Sequence, residues 1–223
     1  MAADAAGLAL LYVISAAYGL VPLLVASGLG LVRLDVPAAS DGRPDLPLLI
    51  LLNLTVNPLV GCVIVLGEEL GWRGYLLTRL IDAGAPRPLL ASALIWGTWH
   101  LPLIVAGVYD AAGTHRLWRV VPLFLVTTGA LGYVLAWGRL RTGSIWPGAV
   151  GHSVANFLGQ GVSITSTPGE AARLWVGEAG LLSAAVLVVA AVLLWGRFRP
   201  AVLWRTPRVE LGTPSPVGAR ELR

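Results

Sequence analysis

The sequence predicts an all-α, polytopic membrane helix bundle of about six transmembrane helices with an intramembrane polar site. Three observations predict it. Of the 223 residues 56% are apolar and only 13% charged, with a mean hydropathy of +0.76, whereas a soluble domain carries about 25% charged residues. Apolar stretches of about 20 residues, the length that crosses the hydrocarbon of a bilayer, recur along the whole chain. A few Glu, His and Asn residues fall inside or beside those stretches, where polar groups are costly and usually functional. The same composition excludes intrinsic disorder, which needs low hydrophobicity and high charge.

The six stretches run roughly over 6–32, 46–67, 88–108, 118–138, 144–165 and 174–196. The first lacks a basic leader, carries Asp4 and is too long for the apolar core of a signal peptide, so it reads as a retained span. The second ends in Val63-Ile64-Val65-Leu66, just before two acids. The third contains Pro102, which should loosen the helix around it. The fifth is the least apolar: Gly148, Gly151, His152, Ser153, Asn156, Gly159 and Gln160 suit a helix facing protein rather than lipid. Polar loops occupy 33–45 and 109–117. Residues 1–196 are thus expected to form one transmembrane domain, followed by an Arg- and Pro-rich tail over 197–223.

All 16 basic residues are Arg, the net charge is +4 and the isoelectric point is about 9.8. In a membrane protein such residues mark cytoplasmic loops, so no nucleic-acid partner is inferred. With both termini inside, ten Arg lie on the inner side and five on the outer, Arg73 being set aside as intramembrane. This predicts a multi-pass cell-membrane protein with cytoplasmic N- and C-termini, the tail facing an anionic leaflet. The single Cys62 cannot form an internal disulfide.

Three polar clusters stand out. In Glu68-Glu69-Leu70-Gly71-Trp72-Arg73, Glu69 and Arg73 are at i, i+4 and can pair, while Glu68 lies about 100° round the helix and is left for chemistry. In Trp96-Gly97-Thr98-Trp99-His100, the aromatic Trp96 lies one turn before His100 on the same face. In Gly151-His152-Ser153-Val154-Ala155-Asn156, His152 and Asn156 share a face. Counted from the inner Arg79, Arg87 and Arg141, the three clusters lie roughly 16–20 Å deep. Each alone fits a bland role: a solvated helix end, a core His on a carbonyl, or interhelical hydrogen bonding. Together they form a site.

A Glu beside a His can act as general base on water, and a His and an Asn one turn apart can donate to an oxyanion. Glu68, His100 and His152 could instead hold zinc with water as fourth ligand. A serine mechanism using Ser153 lacks the strand–turn–helix setting of a nucleophile elbow. A non-enzymatic scaffold, transporter or bacteriocin-immunity protein with the same polar core is a further alternative.

The ordered set Glu68-Glu69-x-x-x-Arg73, Trp96-x-x-x-His100 and His152-x-x-x-Asn156, over about 46–165, resembles the CPBP family of CAAX proteases and bacteriocin-processing (ABI) proteins, whose eukaryotic relative is the type II CAAX prenyl endopeptidase. Trp96 stands where Phe is the commoner residue. The resemblance implies an intramembrane endopeptidase. Glu68 would activate water with His100, His152 and Asn156 would form the oxyanion hole, and Glu69, Arg73 and Trp96 would support them. The metal-free chemistry is preferred because Asn is a poor zinc ligand but a good oxyanion donor. No cofactor is therefore favoured, with zinc the alternative. The expected substrate is a peptide or protein in or at the bilayer. The all-Arg, Ala- and Leu-rich composition points to a high-GC bacterial genome.

Overall fold

The computed structural model describes residues 2–34, 46–107, 117–159 and 170–195. The elements are α1 (Ala2–Gly28), α2 (Leu46–Leu54), α3 (Val56–Glu69), a π-helical segment (Leu70–Leu76), α4 (Leu77–Asp82), α5 (Pro88–Trp99), α6 (Leu101–Val105), α7 (Leu117–Thr142), α8 (Trp146–Gly159), α9 (Glu170–Trp175) and α10 (Leu181–Trp195). The tail over 197–223 and both polar loops lie largely or wholly outside the described residues.

Among the described residues, four helical runs are long and apolar enough to cross a membrane: Ala5–Gly28, Pro47–Asp82, Pro88–Val105 and Leu117–Thr142. Of the stretches expected at 144–165 and 174–196, the described residues show shorter helices. α8 has 14 residues and α10 has 15, roughly 21–23 Å at 1.5 Å per residue, less than a bilayer's hydrocarbon thickness. Most of α8 is enclosed by protein, as its small and polar residues require. The second stretch differs the other way. It continues through the acids to Asp82 as a 36-residue run, so Glu68 and Glu69 sit within a helix rather than at its end.

That run is uninterrupted in direction but not in hydrogen bonding. Pro58 has no N–H to offer the carbonyl of Leu54 four residues earlier. The Tyr12 hydroxyl of α1 donates to that carbonyl instead. The Pro58 carbonyl in turn accepts from Ser153 Oγ of α8 at 2.8 Å. Further along, the chain widens into the π segment, where Leu77 N–H donates to Trp72 C=O five residues back. Such bulges are common at functional sites because they re-aim side chains.

The central helix α7 packs against α5 and α10, while α8 packs against α1 and α3. Small residues allow these approaches: Gly19 faces Leu158, Gly159 faces Tyr18, and Gly132 faces Ala93, with no room for a side chain at any of them. The result is inside out relative to a soluble protein. Val63 and Ile64 are 77% and 76% exposed, whereas Glu69 and Arg73 on the same run are 0% and 2% exposed.

Candidate active site

The site is assembled from the helical run after α3, the α5–α6 junction and α8. Glu69, the last residue of α3, and Arg73 in the π segment form a buried ion pair, Nη1 to Oε1 at 2.7 Å. The same oxygen lies 2.9 Å from His152 Nδ1 on α8. Because a carboxylate only accepts, His152 Nδ1 carries a proton. Among the described residues, Glu69 Oε2 has no hydrogen-bond partner. It faces bare backbone at Gly148, where a Cβ would lie only 2.8 Å away.

Trp96 connects the parts. Its indole N–H donates to Glu68 Oε2 at 2.9 Å. Arg73 Cζ lies 4.1 Å above its ring, within cation–π range. His152 and His100 meet it edge-on, with centroids 5.1 and 5.5 Å away. Its carbonyl lies 2.9 Å from His100 Nδ1. That carbonyl must accept, so Nδ1 carries the proton and the neutral ring has its basic lone pair on Nε2. His100 itself is the junction between α5 and α6. Pro102 has no N–H to offer the Thr98 carbonyl four residues earlier, which breaks the ladder there, and the His100 carbonyl accepts from Leu103 and Ile104 in the next turn.

The Glu68, His100, His152 and Asn156 side chains line one cavity of about 100 Å³, together with Trp96. Glu69 and Arg73 lie behind them, buried among protein. Ser153, one residue from His152, is fully buried and turned toward α3, where its hydroxyl is bonded to Pro58. Among the described residues, no group of three His, Cys, Asp or Glu is arranged to hold a metal ion, the set Glu68, His100 and His152 included. Four further polar residues line the cavity: Tyr18 of α1, Thr127 and Thr128 of α7, and Glu178 on the turn before α10. Glu178 carries the same signal in the sequence as Glu68, an ionisable group in an apolar stretch. The pattern around Tyr18 carries none.

Residues 45–158 match the family model described as type II CAAX prenyl endopeptidase Rce1-like. None of the curated proteins compared with the chain matches it, and neither does any solved structure. The matched segment begins at α2 and ends within α8, so it spans every helix that carries the three motifs. This membrane-embedded helix bundle therefore belongs to the Rce1-like type II CAAX prenyl endopeptidase family, and it is an enzyme that hydrolyses peptide bonds.

Proposed function

We propose that the chain cleaves a membrane-associated peptide or protein by direct attack of water, with Glu68 and His100 as the base and His152 and Asn156 as the oxyanion hole. The observation that carries this reading is the convergence of these four side chains, from three helical elements, on one cavity. Glu68 accepts the Trp96 indole N–H on Oε2, which leaves Oε1 to receive a proton from water. The His100 Nε2 lone pair orients and polarises the same water. The water oxygen bonds to the scissile carbonyl carbon, and the carbonyl oxygen becomes an oxyanion. The proton held on Glu68 then passes to the amide nitrogen as the C–N bond breaks.

Asn156 donates Nδ2–H to the oxyanion without any change of charge. His152 can donate from Nε2 only when its ring carries both protons, since Nδ1–H is committed to Glu69. Glu69 orients that ring through Nδ1, and Arg73 fixes the carboxylate in place. Two donors aimed at developing charge in a dry site are the usual source of the largest catalytic contribution.

The test is Glu68→Gln in the full chain. Removing the base should lower cleavage by about 100-fold or more while insertion and folding persist, and comparison of the membrane peptides of cells carrying each form should name the substrate. Full function of the Gln variant would refute the base. Stoichiometric zinc in purified protein, lost with activity on chelation, would replace the metal-free chemistry with a zinc-bound water.

A further inference from the structure

We propose that Glu178 and Tyr18 form a recognition subsite for a cationic nitrogen of the substrate, an ammonium or guanidinium group close to the scissile bond. This deepens the hydrolase reading above and rests on it. The cavity is lined by two carboxylates, Glu68 and Glu178, and no Lys or Arg side chain lines it among the described residues. Glu68 is tied to the Trp96 indole. Arg73 pairs with Glu69 and lies over the face of Trp96. Among the described residues lining the cavity, no cation meets Glu178.

Tyr18 makes a second, separate observation. Its side chain is 2% exposed, it lines the same cavity, and among the described residues its hydroxyl makes no hydrogen bond. Buried hydroxyls are normally paired. This one sits against the backbone of Gly159, where a Cβ would come within 2.8 Å of the hydroxyl oxygen. A carboxylate and a phenol on one cavity, neither hydrogen-bonded among the described residues, present acceptors to a ligand that brings donors and positive charge. The rings of Tyr18, Trp96 and Phe124 on the same lining add faces to which a cation is attracted. A carboxylate enclosed by protein is costly unless it is protonated or meets such a partner. The subsite selects for charge and does no chemistry: no bond is made or broken at Glu178.

The experiment uses the full chain in detergent with a proteome-derived peptide library cut at glutamate, which keeps Lys and Arg inside the peptides, and cleavage sites read by mass spectrometry. Wild type should enrich Lys or Arg at one position beside the cut on the order of tenfold over neutral residues, as a charge-assisted hydrogen bond supplies. Glu178→Gln should bring that ratio close to one, and Glu178→Asp should restore part of it. Because the readout is a ratio within each variant, a loss of total activity does not imitate it. Blocking all amines by acetylation separates the sources. Survival of an Arg preference marks a side-chain cation, and loss of all preference marks an ammonium group, including a free amino terminus. Absence of enrichment in wild type, or enrichment unchanged in Glu178→Gln, overturns the proposal. If wild type cuts nothing, the hydrolase reading has failed, and the subsite is judged by melting temperature instead. An Arg peptide amide should then stabilise wild type more than its citrulline counterpart, with no such difference in Glu178→Gln. Equal stabilisation overturns the proposal.

Discussion

At the scale of single residues, polar atoms in this chain are used more than once. Glu69 Oε1 serves both Arg73 and His152, so Glu69→Ala should expose two faults together: a buried guanidinium without a partner and an imidazole without an anchor. Stripping one partner from a buried ion pair costs about 3–5 kcal/mol, and a drop in melting temperature with loss of cleavage is the expected result. Ser153 tests the opposite case. Its hydroxyl is bonded to Pro58 of α3, so Ser153→Ala should cost about 1 kcal/mol of stability and leave the cleavage rate per folded molecule intact. Complete loss of that rate would restore a serine mechanism. Trp96→Phe keeps an aromatic face for Arg73 but removes the N–H that holds Glu68. Turnover should fall by roughly 10-fold, with the fold retained.

At the scale of elements, the site depends on how closely α8 approaches α3 and the π segment. Gly148 is the contact point, since a Cβ there would come within 2.8 Å of Glu69 Oε2. Gly148→Ala cannot be relieved by moving a flexible side-chain tip, because the carboxylate is fixed by Arg73 and His152. It should cost about 1–3 kcal/mol as an overpacked core does and lower activity further than that loss of stability accounts for, read as rate per folded molecule. The break between α5 and α6 has a comparable role. It places His100 at a junction, where its carbonyl turns to Leu103 and Ile104, and it was legible in the sequence from Pro102 alone. The π segment was not legible. Glu69 just before it and Arg73 within it keep the ordinary i, i+4 pairing, so the widened turn leaves no mark in the sequence pattern.

At the scale of the whole molecule, orientation is the open physical variable. The surplus of Arg near one face predicts that the turn between α4 and α5, flanked by Arg79 and Arg87, faces the cytoplasm. Ala83 is exposed on that turn, and Cys62 is the chain's one cysteine. In a Cys62→Ser background, Ala83→Cys should react with an impermeant maleimide only after the membrane is opened. Labelling of intact cells would reverse the assignment. Inverting the topology would also invert the side from which substrate reaches the cavity.

Local chemistry alone determined the all-helical membrane class, the three polar clusters and the pairing of Glu69 with Arg73. Apolar length, helical spacing and the cost of charge in lipid are all properties of short stretches of chain. Tertiary structure decided what depends on distance across the bundle. Among the described residues, it turned four long helical runs, the polar-rich α8 and the shorter apolar α10 into one enclosure. It committed His152 to Glu69 rather than to Glu68, and it brought Tyr18 and Glu178 into the same cavity from opposite ends of the chain. A sequence carries the cost of burying a carboxylate, but which partner meets that carboxylate is set only when the helices close around it.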